Sequence, residues 1–240
     1  MIVKKETRRM KRGVFFNKNC KLKSLKMNEL KNSINQTIED LSEKHRMHRK
    51  IRFLLDVRGL LVTNKIKGAY AEFGIFRGEM MYAASKILGN NIEHYYGFDT
   101  FEGLPKPKGN DEKKFVFEKL GFMKSTYDEV KALLGDVSST LIKGDFRKEE
   151  TKKEIISVLK PISILSVDCN WPSSVEAALN ISAKYLQDGS IVYFDDYFTG
   201  TSDGDYMLPI LEKLKVEHGI KCVYFQTYPP FARAFIVFRN

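Results

Sequence analysis

Cysteine, proline and long apolar runs are scarce in this chain of 240 residues. Its three cysteines, Cys20, Cys169 and Cys222, are too few and too scattered for a disulfide framework. Seven prolines and 16 glycines exclude a collagen-like or linker-rich protein. No uncharged apolar run approaches the roughly 18 residues that cross a bilayer, and no apolar stretch follows the basic start as in a signal peptide. We therefore expect a globular protein without a transmembrane segment, in a reducing, cytoplasmic setting.

Positive charge is concentrated at one end of the chain. The formal net charge is +10, from 40 Lys and Arg against 30 Asp and Glu. Residues 1–50 carry 15 of the basic and five of the acidic side chains, so residues 51–240 carry 25 of each sign. Because phosphate binding depends on clustered positive charge, only the N-terminal segment could bind a polyanion. We expect no nucleic-acid partner for the body of the protein.

The pattern of apolar residues divides the chain into three segments. Residues 1–26 are basic and show no sustained period, which predicts a flexible arm. Apolar residues then recur at spacings of three and four from Met27 to Leu61, which predicts two amphipathic helices joined by a charge-rich turn at 43–50. We assign 27–66 to a helical cap or lid and 67–240 to the main domain.

The main domain alternates short apolar runs with helical patterns, which is typical of a parallel sheet with helices on both faces. The apolar runs predict five parallel strands, at 69–76, 94–99, 140–145, 163–168 and 190–195. Two closing strands, at 222–226 and 233–239, are joined by a segment too short for a helix. The predicted fold class is therefore α/β, with a Rossmann-like, seven-stranded, mostly parallel sheet that ends in an antiparallel hairpin.

Acidic residues lie in or at the carboxyl end of all five predicted parallel strands. In open α/β sheets, ligands bind outside these carboxyl ends, near the point where the strand order reverses. The pattern therefore predicts one common cleft lined by carboxylates. Its members are Glu72, Asp99, Asp145, Asp168 and the pair Asp195 and Asp196.

The first turn of this cleft reads Glu72-Phe-Gly-Ile-Phe-Arg-Gly78. Its glycines, Gly74 and Gly78, allow a tight turn and close approach of a ligand. The turn is not the G-x-G-x-x-G of dinucleotide enzymes, because Phe76 replaces the second glycine. S-adenosylmethionine, which has no phosphates, suits it better, and a carboxylate such as Glu72 favours its sulfonium and ammonium cations. The alternative is a structural turn with a solvated glutamate.

The second turn reads Gly97-Phe-Asp-Thr-Phe-Glu-Gly-Leu-Pro105. Asp99 stands where Rossmann-like sites hold the ribose hydroxyls, because a carboxylate can accept hydrogen bonds from both hydroxyls of a diol. The alternative is that Asp99 caps the following turn. Asp145 could accept a hydrogen bond from the adenine amino group, and a role in its own turn is equally open.

Asp168 and the pair Asp195 and Asp196 follow two strands that we expect to be neighbours. Adjacent strands lie about 4.8 Å apart, so these carboxylates can converge on one hard cation such as Mg²⁺ or Ca²⁺. No His or Cys pattern suits zinc. Three crowded carboxylates repel one another without a cation, so the structural alternative must supply Lys or Arg partners.

These motifs resemble those of class I S-adenosylmethionine-dependent methyltransferases, within them the macrocin O-methyltransferase group (TylF/MycF-like), which methylates sugar hydroxyls. The resemblance covers roughly 68–197. It implies that Asp168, Asp195 and Asp196 hold Mg²⁺ and are catalytic. With the motifs, it leads us to expect cofactor binding by Glu72, Gly74, Arg77, Gly78, Asp99, Thr100, Phe101, Asp145 and Asp168.

Two departures from the family pattern bear on the substrate and on metal binding. Where the family usually reads Asp-Gly-Asp-Leu-Tyr, this chain reads Asp168-Cys-Asn-Trp-Pro172, so Asn170 removes one negative charge. Where the family has Trp-Phe after the third strand, this chain has Asp145 and Phe146.

The sequence thus predicts a Mg²⁺-dependent O-methyltransferase that acts on a hydroxyl of a sugar or a glycosylated small molecule. The ion would lower the pKa of the hydroxyl and orient it. For the general base, only the positions of Asp145 and Tyr197 suggest candidates. We expect the loop 104–126 to act with the N-terminal helices as a mobile cover, and the protein to form a homodimer. The alternatives are a polyanion-binding module that uses the basic arm, and an NAD-dependent oxidoreductase, which the missing G-x-G-x-x-G disfavours.

Overall fold

A computed structural model describes residues 13–109, 111, 121–198 and 206–239. The chain divides into two units, Met1–Met47 and His48–Asn240, and the second contains the sheet. Within the described ranges, no helix has both the length and the apolar character needed to cross a bilayer.

Helix α1 runs without interruption over Gly13–Asn64. The prediction of two helices with a turn at 43–50 is therefore wrong. That segment is highly charged but contains neither glycine nor proline, and its Glu, Lys, Arg and Met residues are good helix formers. The helix begins inside the segment for which the sequence predicts a flexible arm, and residues 1–12 lie outside the described part of the chain.

The sheet has seven strands in the order β3-β2-β1-β4-β5-β7-β6. Strands β1 to β5 are parallel, and β7 lies antiparallel between β5 and β6. The predicted fold class is confirmed. The strands are β1 Ala69–Phe73, β2 Tyr95–Asp99, β3 Ser139–Lys143, β4 Ile162–Val167, β5 Leu186–Phe194, β6 Ile220–Tyr228 and β7 Ala232–Arg239.

Helices cover both faces of the sheet, and each face has its own apolar cluster. The helices after α1 are α2 Glu79–Leu88, α3 Tyr127–Leu134, α4 Glu149–Val158, α5 Pro172–Ser182 and α6 Met207–His218. The later part of α1 shares one cluster with α2 and α3, whereas α4, α5 and α6 belong to the other. Strand order reverses between β1 and β4, so a ligand cleft is expected at their carboxyl ends.

Side chains alternate between the two faces of the sheet along each strand, and this alternation decides on which face each acidic side chain lies. Side chains two residues apart in a strand point to the same face. Tyr70, Ile164 and Tyr193 belong to the cluster that contains α1. Glu72 follows Tyr70 by two residues, and Asp195 follows Tyr193 by two, so both carboxylates lie on the α1 face.

Candidate active site

The ends of β1 and β4 approach each other closely at Gly74. The amide of Asp168 donates to the carbonyl of Phe73 at 2.9 Å, and the amide of Gly74 donates to the carbonyl of Phe98 at 2.8 Å. Gly74 has φ 88°, and a Cβ there would lie 2.1 Å from the carbonyl oxygen of Asp168. Only glycine therefore fits where the first predicted turn meets Asp168.

The Asp99 carboxylate holds the loops that follow β1 and β2. Its Oδ2 accepts from the amide of Phe76 at 2.9 Å, and its Oδ1 accepts from the amide of Phe101 at 2.8 Å. Both phenylalanines have positive φ, 48° and 56°, a region that non-glycine residues seldom adopt. Burial raises the pKa of Asp99, although these backbone hydrogen bonds oppose the shift. Backbone strain of this kind is common at functional sites.

The other predicted cofactor residues of these two loops have varied surroundings. Arg77 is exposed, and its guanidinium lies 5.0 Å from the centre of the Phe76 ring. Gly78 has φ 77°, and a Cβ there would lie 2.8 Å from Val130 of α3. The Thr100 hydroxyl donates to the carbonyl of Gly103 at 2.8 Å. Phe101 is buried against the ring of Tyr127.

Glu72 is buried beneath the first turn, with 1% of its surface exposed. The Tyr70 hydroxyl donates to its Oε2 at 2.7 Å. Burial raises the pKa of Glu72 to about 8, although the charge of Lys50 opposes the shift. The alternative of a solvated glutamate is therefore wrong.

The three aspartates after β4 and β5 lie together, as the sequence predicts. Asp168, Asp195 and Asp196 each offer a carboxylate oxygen, and these atoms lie within 4.8 Å of one another. The strand ends are joined by a hydrogen bond from the amide of Asp195 to the carbonyl of Val167, at 3.1 Å. Asp195 is buried, whereas Asp168 and Asp196 are half-buried.

Lys50 of α1 reaches into this carboxylate cluster. Its Nζ lies 2.5 Å from Oδ2 of Asp168 and 3.6 Å from Oδ2 of Asp195. The Lys50 side chain is only 3% exposed. Burial by itself would lower the pKa of Lys50, but the charges of Asp168 and Asp195 outweigh it and raise that pKa. The ammonium is therefore charged throughout the physiological range.

Arg49 and Tyr193 surround Asp195. The guanidinium of Arg49 donates from Nε to Oδ1 at 3.2 Å and from Nη2 to Oδ2 at 2.7 Å. The Tyr193 hydroxyl donates to Oδ1 at 2.7 Å. Burial would raise the pKa of Asp195, but Lys50 and Arg49 outweigh it and lower that pKa to about 2. Asp195 is therefore a carboxylate with both oxygens engaged.

This arrangement does not fit a divalent ion at Asp168 and Asp195. The donor atoms are of the type that Mg²⁺ prefers, and their clustering meets the prediction. However, the ammonium of Lys50 already lies between the two carboxylates, and Arg49 with Tyr193 engages both oxygens of Asp195. The structural alternative required Lys or Arg partners, and the cluster has both. The Mg²⁺ assignment stays a prediction.

Asp145, predicted to contact adenine, is bonded to Arg147. Its carboxylate accepts from the amide, Nε and Nη2 of Arg147 at 3.1, 2.9 and 2.8 Å. Burial would raise the pKa of Asp145, but these contacts outweigh it and lower that pKa. A carboxylate so engaged is a poor general base. The adenine contact stays a prediction.

Tyr197, the other suggested base, is buried with 1% exposure. Its ring packs against Phe235 at 5.6 Å between centroids, and the guanidinium of Arg233 lies 4.5 Å from its centre. These contacts describe the ring and not the hydroxyl, so the role of Tyr197 as general base stays a prediction.

The loop after Asp99 is fastened to the start of α5 where it is described. The Trp171 indole donates to the carbonyl of Pro105 at 2.9 Å. The carboxylate of Asp111 accepts from the amide and hydroxyl of Ser173 at 3.0 and 2.6 Å. Asn170 and Pro172, which depart from the family pattern, are thus next in sequence to Trp171 and Ser173, which anchor this loop. Residues 110 and 112–120 of the predicted cover lie outside the described part of the chain.

Sequence reasoning missed Arg49, Lys50 and Tyr193. A signal for Lys50 was present, because Lys50 continues the helical stripe of Leu54, Val57 and Leu61, all of which are buried. A lysine on a buried stripe needs an acidic partner. The partner itself was not visible, since Asp168 lies 118 residues away in sequence.

Comparison with known families matches residues 71–197 to the family described as Methyltransferase domain. This range covers more than half of the chain and includes both turns and the aspartate cluster. The chain belongs to this family of methyltransferase domains. None of the curated proteins matches the sequence.

Solved structures with the same fold include O-methyltransferases. The O-methyltransferase NovP is 14% identical, with a TM-score of 0.59 and coverage of 80% of each chain. CalS11, a calicheamicin methyltransferase, is 20% identical, with a TM-score of 0.58 and coverage of 76% of each chain. At these identities the likeness establishes the fold, and the narrower macrocin O-methyltransferase assignment stays a prediction.

Proposed function

We propose that this protein transfers a methyl group from S-adenosylmethionine to a hydroxyl of a sugar or a glycosylated small molecule. The family match supports methyl transfer, and it disfavours the oxidoreductase alternative. NovP is an O-methyltransferase, and an apo structure of CalS11 describes that protein as a TDP-rhamnose 3'-O-methyltransferase. That structure is 18% identical, with a TM-score of 0.50 and coverage of 76% of this chain and 77% of that one.

The position of Asp99 is the observation that carries the proposal. It ends β2 beside the strand-order reversal, and it holds the loops after β1 and β2 through the amides of Phe76 and Phe101. A carboxylate has about four acceptor positions, and the amides of Phe76 and Phe101 with the Thr100 hydroxyl, 3.4 Å from Oδ1, occupy up to three of them. Asp99 can therefore still accept a hydrogen bond from a ribose hydroxyl. The loops are thereby fixed around the place where the nucleoside would bind.

The charge of the cleft suits a sulfonium cation. Asp168, Asp195 and Asp196 bring three negative charges, and Arg49 and Lys50 bring two positive charges near them. Among the described residues this leaves one negative charge, and Glu72, whose pKa is raised to about 8, adds little to it near neutral pH. A sulfonium placed near it is attracted, most strongly where water is excluded.

In the reaction, an acceptor oxygen attacks the methyl carbon, the methyl–sulfur bond breaks, and S-adenosylhomocysteine leaves while the hydroxyl proton is released. The chain's main contribution would be alignment of oxygen, methyl carbon and sulfur. Asp168 and Asp196 are the least buried members of the cluster, so we assign them contact with the hydroxyl. The residues around Asp168 and Asp195 do not fit Mg²⁺.

The test is a methyl-transfer assay with labelled S-adenosylmethionine and a panel of nucleotide sugars, glycosides and phenols. We expect labelled sugar products from the wild type. Asp99→Asn should bind S-adenosylmethionine about 10- to 100-fold more weakly, because a charged acceptor of ribose hydrogen bonds is lost. The matched control, Asp136→Asn, changes an exposed turn residue and should match the wild type. Transfer to phenols alone would contradict the substrate class, and equal affinities of the two variants would contradict the role of Asp99.

The homodimer and the cytoplasmic setting stay predictions, and the polyanion-binding arm stays an untested alternative. Residues 1–12 of the arm lie outside the described part of the chain, as do the side chains of residues 13–28. Chromatography of the full chain tests the dimer, and loss of polyanion binding on deletion of residues 1–26 tests the arm.

A further inference from the structure

The carboxylate cluster contains its own cation. We propose that the ammonium of Lys50 takes the place of a divalent ion among Asp168, Asp195 and Asp196, so that the native protein binds no divalent ion there. The proposal departs from the metal assignment that the sequence predicts.

Distance and burial place Lys50 inside the cluster. Its Nζ lies 2.5 Å from Asp168 and 3.6 Å from Asp195, and its side chain is 3% exposed. A buried ammonium needs charged or polar partners, and these two carboxylates meet that need. A divalent ion bound to the same two oxygens would have to displace the ammonium into apolar surroundings or draw it out to water.

Asp195 is held in place by other groups as well. Arg49 donates to both of its oxygens, and the Tyr193 hydroxyl donates to Oδ1. Three of the roughly four acceptor positions of this carboxylate are therefore occupied, and the Lys50 ammonium lies 3.6 Å from Oδ2. An incoming ion would therefore have to break charge-assisted hydrogen bonds, which are the stronger kind.

Lys50 is fixed at its backbone by the helix that carries it. Phe53, Leu54, Val57 and Leu61 follow it on one face of α1, and each is at most 2% exposed. The Phe53 ring lies 4.3 Å from the ring of Tyr193, which itself bonds to Asp195. Moving the helix away from the cluster would therefore break the same packing that orients Asp195.

The balance of charge also opposes an additional divalent ion. Counted over the described residues alone, the three aspartates together with Lys50 and Arg49 carry one net negative charge. A divalent ion would make the group positive by one unit, next to the place proposed for a sulfonium. Two like charges brought together in a partly buried site repel each other.

Binding of Mn²⁺, followed by electron paramagnetic resonance of the free ion, tests this proposal directly. We expect the wild type to leave the free Mn²⁺ signal unchanged. Lys50→Met, which keeps the apolar stem, should bind Mn²⁺ at least about tenfold more tightly than the wild type, a change of about 1.4 kcal/mol. Lys152→Met is the matched control, because the Lys152 side chain is 41% exposed and pairs with Glu149 on α4, and it should behave as the wild type.

Wild-type measurements keep the test decisive even if Lys50→Met does not fold. One tightly bound Mn²⁺ in the wild type, lost in Asp168→Asn, would overturn the proposal. A folded Lys50→Met variant that gains no Mn²⁺ affinity would overturn it too. An unchanged melting temperature of the wild type in Mg²⁺ and in EDTA would support it, since a ligand that binds only the folded state raises that temperature.

This outcome is independent of the proposed function, because Mn²⁺ binding is measured without S-adenosylmethionine. If methyl transfer fails and the wild type binds no Mn²⁺, the proposed function is wrong and the Lys50 proposal stands. If methyl transfer requires Mg²⁺ and the wild type binds Mn²⁺, the function stands and the Lys50 proposal is wrong.

Discussion

Each side of the cleft is held in place by a different kind of contact. On the β1–β2 side, Asp99 bonds to backbone amides 2 and 23 residues away in sequence. On the β4–β5 side, Asp168 and Asp195 bond to side chains of α1 that are 118 and 146 residues away. The first side depends on local turns and the second on an ion-pair network between distant elements.

This difference predicts different responses to substitution. Loss of a charge from a buried ion pair leaves its partner unpaired, which is more costly than the pair itself is stabilising. Loss of a turn glycine instead strains the backbone at one point. Substitutions on the β4–β5 side should therefore lower the free energy of unfolding most. Substitutions on the β1–β2 side should weaken cofactor binding most.

The largest effect on stability is expected for Lys50→Ala. Removing the ammonium leaves the carboxylates of Asp168 and Asp195 without this positive partner. Breaking a buried ion pair in this way costs about 3–5 kcal/mol. Urea unfolding measures the change in the free energy of unfolding. Lys152→Ala, at an exposed ion pair, should change it by less than about 1 kcal/mol. Similar losses in the two variants would mean that the Lys50 contacts do not differ from a surface pair.

Gly74→Ala should have the next largest effect. The added methyl would meet the Asp168 carbonyl at 2.1 Å and force a residue with φ 88° into a strained conformation. Strain of this kind costs about 1–3 kcal/mol, and the displaced turn should also weaken binding of S-adenosylmethionine. Gly135→Ala is the control, since it too has positive φ, 52°, but its nearest neighbour would be 3.9 Å from the new Cβ. Equal affinities of Gly74→Ala and Gly135→Ala for S-adenosylmethionine would contradict the close approach of Gly74 to the Asp168 carbonyl.

Glu72 should also make the free energy of unfolding depend on pH. Its pKa in the folded state is about 8, above the ordinary value of 4.5, so the folded protein keeps a proton that the unfolded chain releases. Glu72 therefore destabilises the folded state increasingly as pH rises from about 4.5 to 8, by about 1 kcal/mol per pH unit. Urea unfolding between pH 5 and pH 9 should show this slope for the wild type and a reduced slope for Glu72→Gln. Parallel curves for the two proteins would contradict the raised pKa.

The sheet could be predicted from the sequence because its central strands β1, β2 and β4 are short and buried and end at charged or glycine residues. The predicted strands at 94–99 and 163–168 agree within one residue at each end with β2 Tyr95–Asp99 and β4 Ile162–Val167. The N-terminal region is harder to predict, because the charged residues at 43–50 resemble the junction between two helices. Charge alone does not end a helix, whereas glycine or proline does.

The sequence predicts only two kinds of feature in the candidate site. These are the turns formed by residues close in sequence and the residues at the ends of neighbouring strands. The clustering of Asp168, Asp195 and Asp196 followed from parallel strands with acidic ends. The partnership of Lys50 with Asp168 did not, because a position on a helical stripe says nothing about which distant strand it meets. The repulsion of three carboxylates indicated that a cation was needed, but not whether the chain itself supplied it.

Calorimetry with S-adenosylmethionine and with NAD, each in EDTA, tests the central claim most directly. That claim is that the carboxyl ends of β1 and β2 form a binding site for a nucleoside that carries a sulfonium. The account predicts saturable binding of S-adenosylmethionine to the wild type and none of NAD. Binding of NAD, or of neither compound, would contradict it.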